Sequence, residues 1–176
     1  MKVHTGSLLL TAALSLSAAP AFAKSGAEWQ TLTGSVQVGL NQAVEKAQAV
    51  APGKAIEAEL EAGKKGAAPY YAVTLLSPAN EEIKLRVNAR TGAAALEKNK
   101  GKADAKHLKR LADTSITLAQ AVDAAIVALP GKPLEAQLDS DWGKTSYKVK
   151  LLGADQTVMK VRLDPVTGVV TDQEKD

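Results

Sequence analysis

The chain has 176 residues, a formal net charge of +3 and no cysteine, which excludes disulfides, thiol catalysis and thiolate metal sites. So small a charge also excludes a general nucleic-acid-binding role. Hydrophobic residues make up 45% of the sequence but aromatic residues only 3%, so any core is built mainly from Ala, Val, Leu and Ile.

The first 23 residues have the layout of a secretory signal peptide. A weakly basic start at Lys2 is followed by an apolar run over 8–19 and by Ala21-Phe22-Ala23, which has the small-x-small pattern of a cleavage site. The run is shorter than the roughly 20 residues of a membrane-spanning helix, so an uncleaved anchor is the less favoured alternative. We expect cleavage after Ala23 and a periplasmic mature chain that begins at Lys24 and has no transmembrane segment.

Most of the mature sequence repeats itself. Motifs of the first half recur in the same order in the second half. Before the loop that precedes Tyr71 the offset is 78 positions, in the pairs Leu40–Val44 and Leu118–Val122, and Pro52–Lys54 and Pro130–Lys132. After that loop the offset is 76, in the pairs Tyr71–Leu76 and Tyr147–Leu152, and Thr91–Gly92 and Thr167–Gly168. This order indicates duplication. We therefore divide the chain into a signal peptide (1–23), an N-terminal segment (24–37), a first repeat (38–97), a basic linker (98–115) and a second repeat (116–176).

Each repeat begins with a predicted helix. Leu40, Ala43, Val44 and Ala47 recur at helical spacing, and the second repeat shows the same pattern from Leu118 onwards. A Pro-Gly pair follows each pattern and ends the predicted helix, because proline cannot donate the next helical hydrogen bond.

Strands follow each helix. Apolar and polar residues alternate over 56–61, 71–75 and 83–87 and at the equivalent positions of the second repeat, which is typical of sheets with one buried face. Tight turns and short last strands at 93–96 and 169–171 complete each unit. The predicted fold class is α+β, with two tandem repeats that are each one helix packed on a three- to four-stranded antiparallel sheet.

This ordered set of motifs resembles the PepSY domain family. In the second repeat the motifs are Pro130-Gly131-Lys132, Tyr147-Lys148-Val149 and the turn from Asp164 to Gly168. The first repeat matches them except for Asn88, where the family has Asp. The resemblance implies an α+β fold, export and no catalytic residues. It also implies similarity to propeptide domains of thermolysin-like peptidases, which are thought to bind or restrain peptidases.

The mature sequence has few candidate catalytic or metal-ligating residues. His107 is its one histidine, and no Asp or Glu stands at ligand spacing around it, so neither a metal site nor a Ser-His-Asp site is predicted. No Gly-rich phosphate loop follows a strand. We predict a noncatalytic protein with no metal-binding or cofactor-binding residues.

Two charged segments leave alternatives open. Glu57, Glu59 and Glu61, with Glu135 and Asp139 of the second repeat, could bind cations or act as an acid/base pair, but a solvated strand face is favoured. The linker has six basic residues over 98–110 against one acidic residue. It could bind an anionic surface, although a soluble linker is the favoured interpretation.

Two aromatic residues that do not repeat are candidates for partner contact. Trp142 lies in a predicted hairpin loop and Tyr70 at the end of the corresponding loop. Large exposed aromatics are frequent binding anchors, although the favoured interpretation is that each folds back over the sheet edge. The sequence favours a binding or regulatory module whose partner is a protein, with a peptidase implied by the resemblance. The runner-up is an envelope sensor or anionic-surface-binding protein that uses the basic linker.

Overall fold

The computed structural model describes residues 24–176, so the predicted signal peptide lies outside the described residues. The first half of the described chain contains helices α1 (Gly26–Gly34) and α2 (Leu40–Val50), strands β1 (Lys54–Glu61), β2 (Tyr70–Leu76), β3 (Glu81–Asn88) and β4 (Ala94–Lys102), and a 3-10 turn at Lys64–Gly66. The second half contains helices α3 (Ala105–Ala112) and α4 (Leu118–Ala128) and strands β5 (Lys132–Asp141), β6 (Lys144–Leu152), β7 (Val158–Leu163) and β8 (Val170–Lys175). No helix in this range is long and apolar enough to cross a membrane.

The two repeats share one antiparallel sheet. Its eight strands run in the order β4-β3-β2-β1-β5-β6-β7-β8. The first strand of each repeat meets the other at the centre, where Ala58 lies opposite Ala136 and Glu59 opposite Glu135. The α+β class with tandem units of helix and antiparallel sheet is therefore confirmed. The joining of both units into a single sheet was not predicted.

Helices α2 and α4 cover one face of the sheet. Their buried residues are Leu40, Ala43, Val44 and Ala47 in α2 and Leu118, Ala121, Val122 and Ala125 in α4, the positions that the helical spacing predicts. At the start of α4, Thr117 Oγ1 accepts a hydrogen bond from the Gln120 amide at 3.2 Å. Each fully buried leucine contributes roughly 1.5–3 kcal/mol to folding, so these helices fix one face of the sheet as the core.

The segment expected to be a basic linker is folded. Lys98–Lys102 continue strand β4 and Ala105–Ala112 form helix α3. Asp104 caps this helix by accepting a hydrogen bond from the Lys106 amide at 2.7 Å, and Leu108 and Leu111 pack against the core. The expectation of a linker over 98–115 is corrected because two leucines at helical spacing anchor this basic stretch.

The N-terminal segment forms the equivalent helix of the first repeat. Ser25 and Glu28 make a capping box at the start of α1, and Trp29 is buried. Trp29 occupies the position of His107 in α3, 78 residues earlier. Each repeat therefore consists of two helices and four strands. The last strands are longer than the expected 93–96 and 169–171, because both continue their pairing with the preceding strand.

Candidate protein-binding surface

The two ends of the sheet present different loops. The β5–β6 hairpin and the β7–β8 turn lie at one end, because these four strands are antiparallel neighbours. The β1–β2 hairpin lies at the opposite end, because β1 runs antiparallel to β5. We call the first of these ends the apolar end and define it by Trp142, Val166 and Val169.

Trp142 stands at the tip of the β5–β6 hairpin. Its φ is 51° and that of Gly143 is 78°, the positive pair of a two-residue turn that normally favours Asn-Gly. A bulky residue at positive φ is a conformational outlier. The Trp142 side chain is fully exposed, at 105%, so it does not fold back over the sheet edge. The Trp142 side chain therefore makes no contact with the hydrophobic core.

The neighbouring β7–β8 turn adds two exposed valines. Val166 is 50% exposed and Val169 62%. Asp164 shapes this turn, because its Oδ1 accepts hydrogen bonds from the Val166 and Thr167 amides at 3.0 and 2.9 Å. The Thr167 and Val166 amides lower the pKa of the Asp164 carboxyl. The Asp164 carboxylate thus shapes a turn that presents Val166 and Val169 at the same end of the sheet as Trp142.

The corresponding end of the first repeat is basic. Lys64 and Lys65 occupy the hairpin, and Arg90 and Ala93 stand at the positions of Val166 and Val169. All four residues are exposed. The turn itself has the same geometry, since Asn88 Oδ1 accepts from the Arg90 and Thr91 amides at 2.9 and 3.0 Å. The backbone of this turn is therefore shared by the two ends. The hairpins differ in backbone as well, because the first repeat has a 3-10 turn at Lys64–Gly66 where the second has the two-residue turn of Trp142 and Gly143.

Tyr70 lies at this basic end and far from Trp142 in the sheet. It is the first residue of β2, opposite Asn88 and Glu61. The Arg86 guanidinium lies 3.8 Å from the centre of its ring. Tyr70 is half-buried. The structure does not bring Tyr70 and Trp142 together, and their roles in partner binding stay predictions.

The face of the sheet opposite α2 and α4, here called the open face, carries rows of charge. In the second repeat, Lys150 lies 3.1 Å from Glu135, and Lys148 pairs with Asp139 and Asp141. The first repeat has Thr74 and Ala72 at the positions of these lysines. Among residues 24–176, Glu57 and Glu61 therefore lack the lysines that pair with their counterparts Glu135 and Asp139. The counterpart of Glu59 is the neutral Gln137.

The carboxylates on the open face of the first repeat perturb the pKa of Glu59. Burial and repulsion from neighbouring carboxylates, Glu61 first, raise the pKa of Glu59. Thr74 donates a hydrogen bond to Glu57 at 3.2 Å, while Lys84 and Arg86 pair with Glu97 on β4 rather than with β1. Within residues 24–176, no group of three or more acidic or histidine side chains is arranged to hold a metal ion.

His107 joins helix α3 to the first repeat. Its Nδ1 lies 3.0 Å from Glu82 Oε2, and Lys100 contacts the other oxygen of the same carboxylate. Glu82 is only 7% exposed. Burial raises the pKa of Glu82, but hydrogen bonds from Lys100 and His107 outweigh it and the net pKa is lowered. This contact has no signal in the sequence, because the partners lie 25 positions apart.

The similarity of this chain to known proteins extends over both repeats. The sequence model of the PepSY family, described as peptidase propeptide and YPEB domain, matches residues 37–106 and 115–174. No curated protein matches the sequence. The crystal structure of a candidate lipoprotein from Clostridium difficile 630 is similar at 22% identity and a TM-score of 0.44, covering 80% of this chain and 95% of that one.

Proposed function

Because the chain belongs to the PepSY family in both of its repeats, we propose that it is a noncatalytic, exported binding module that engages a protein partner through its apolar end. A peptidase is the first partner class to test, because the family takes its description from peptidase propeptides. Export to the periplasm by cleavage after Ala23 is part of the same proposal.

The observation that carries the proposal is the exposed side chain of Trp142. It occupies a positive-φ position that disfavours large residues and buries nothing within residues 24–176. Val166 and Val169 extend the apolar contact at the same end. Tryptophan is strongly enriched among residues that dominate binding energy, so a function outside the fold explains its presence best.

The test compares three forms of the chain from Lys24 to Asp176. The wild type, Trp142→Ala and Val127→Ala are used to capture proteins from an extract of the source cell envelope, and the affinity of each captured protein is then measured after purification. Val127 is the matched control, an apolar residue 85% exposed on α4. We expect Trp142→Ala to weaken binding at least about thirtyfold, as for a hot-spot truncation. Equal affinity of all three forms would refute the proposed surface.

A second function, binding to an anionic surface, is favoured by Lys98, Lys102 and Lys106. These three are exposed, and none takes part in the ion pairs found among residues 24–176. Co-sedimentation with vesicles containing an anionic lipid, repeated at rising salt, tests it. Binding that disappears with salt and is unaffected by Trp142→Ala would support this function in place of the protein partner.

A further inference from the structure

A cavity of about 180 Å³ lies where the two repeats meet. Its lining comes from α2, the start of β1, the connection between α3 and α4, and β6, with Gln48, Lys54, Ser115, Thr117 and Tyr147 among the residues. Both repeats are needed to form it, because Gln48 and Lys54 belong to the first and the other three to the second.

The repeat symmetry gives this cavity a counterpart. A second cavity of about 200 Å³ is lined by Tyr71 and Lys132, which are the equivalents of Tyr147 and Lys54. Its remaining lining differs, because Val36, Gln37 and Gly39 stand at the positions of Thr114, Ser115 and Thr117. The hydroxyl groups of Thr114, Ser115 and Thr117 therefore have no equivalent in the counterpart, which Thr33 lines from another position.

Two exposed groups among the lining residues of the first cavity, the Lys54 ammonium and the Ser115 hydroxyl, are free to contact a ligand. Lys54 takes part in no ion pair among residues 24–176. Other polar groups are engaged, since Tyr147 donates to the Ile116 carbonyl at 2.8 Å. An ammonium and a hydroxyl at one cavity are donors suited to an anionic oxygen.

The size of the cavity limits the ligand. An engineered cavity of about 150 Å³ binds benzene, so the present one holds a group of a few carbon atoms. The apolar part of the lining comes from Val44, Ala55, Leu111 and Leu118. We propose that this cavity binds a small carboxylate, with Lys54 and Ser115 on the carboxylate oxygens and the aliphatic part against these apolar residues.

The test is an amide chemical-shift titration of the chain from Lys24 to Asp176. The probes are two blocked tripeptides, acetyl-Gly-Glu-Gly-amide with a side-chain carboxylate and acetyl-Gly-Gly-Gly with a free terminal carboxylate, and free glutamate. The neutral control is acetyl-Gly-Gln-Gly-amide. We expect saturable shifts at Ala55, Ser115 and Thr117 with the carboxylates and none with the neutral control. The tightest of the three carboxylate probes identifies the source of the group.

Two matched variants test whether the carboxylate binds in the cavity lined by Lys54. Lys54→Met should weaken binding of the best probe at least about tenfold, as expected for the loss of a charge-assisted hydrogen bond. Lys132→Met, its equivalent in the other cavity, should leave the affinity unchanged. Equal binding of the neutral control, equal effects of both variants, or no saturable shift would overturn the proposal. Trp142→Ala should not alter the titration, so failure here is separable from failure of the proposed protein-binding surface.

Discussion

Ala58 and Ala136 lie directly opposite each other where β1 pairs with β5, and each is the other's equivalent in the repeat, 78 positions apart. Glu57 faces Gln137 and Glu59 faces Glu135 on either side of them. The local two-fold axis that relates the repeats therefore passes between these two alanines. Both are completely buried.

The symmetry predicts equal effects of equal changes at this point. Ala58→Leu and Ala136→Leu should each lower the free energy of unfolding by about 1–3 kcal/mol, because extra methylenes strain a packed core. The measurement is urea unfolding followed by circular dichroism. Ala95→Leu on the exposed edge strand is the control and should change stability by less than about 0.5 kcal/mol. Clearly unequal costs at the two alanines would contradict the symmetric seam.

Replacement of Trp142 by asparagine should separate stability from binding. Asparagine tolerates the positive φ of this turn, so Trp142→Asn is expected to raise the free energy of unfolding by about 1 kcal/mol while it removes partner binding. Gln156, with a φ of 65°, offers a control, because Gln156→Asn should gain stability without loss of binding. Thermal unfolding gives the first quantity, and a fall in the melting temperature of Trp142→Asn would show that the indole supports the fold.

Glu59→Gln should stabilise the protein at neutral pH. The pKa of Glu59 is raised in the folded state, so its contribution to stability is present below the ordinary glutamate pKa of about 4.3 and is lost as pH rises through the folded value. Gln137 already holds the equivalent position in the second repeat. We expect a gain below about 1 kcal/mol at pH 7 that vanishes at pH 3.5. Urea midpoints at both pH values measure the gain. A loss of stability at pH 7 would contradict the conclusion that burial and neighbouring carboxylates destabilise the ionised Glu59.

Glu82 has the opposite dependence on pH. Its pKa is lowered in the folded state, so its stabilisation is present above about pH 4.3 and is lost as pH falls through the folded value. Glu82→Gln should cost about 1–3 kcal/mol at pH 7, because a buried charged acceptor is removed from Lys100 and His107. The variant should also lose stability less steeply between pH 5 and pH 3. Glu97→Gln, on an exposed pair, is the control, and equal acid sensitivity of Glu82→Gln and wild type would exclude this role.

Much of each repeat could be predicted because short-range patterns determine it. The spacing of Leu40, Ala43 and Val44 predicts α2, and Pro52 marks its end, two residues after Val50. The turn at Asn88 follows from the side chain's capacity to accept from nearby amides. These features depend on residues a few positions apart, which the sequence places next to each other.

The joining of the repeats could not be predicted in the same way. A strand that alternates Glu59 with Leu60 shows which face is buried but not which strand lies beside it. Helix α3 was not predicted within 98–110, because basic residues dominate this stretch and the carboxylates that pair with His107 and Arg110 lie in distant strands. Trp142 was predicted as a loop residue. Its position at the same end as Val166 and Val169 depends on the order of the strands in the sheet. Neither the periodicity of the apolar residues nor the composition specifies that order.

The seam between β1 and β5 has a consequence for each half of the chain taken separately. A single repeat would leave its central strand as a bare, self-complementary edge, on which a second identical unit could pair about the same axis as a symmetric dimer. The tandem chain thus joins covalently two units that, as separate chains, would have to associate as a symmetric dimer to make the same sheet. Once both halves were encoded separately, mutations could accumulate on one half without being copied onto the other. Two ends of the sheet that were once identical could in this way become one basic end and one end that carries a tryptophan.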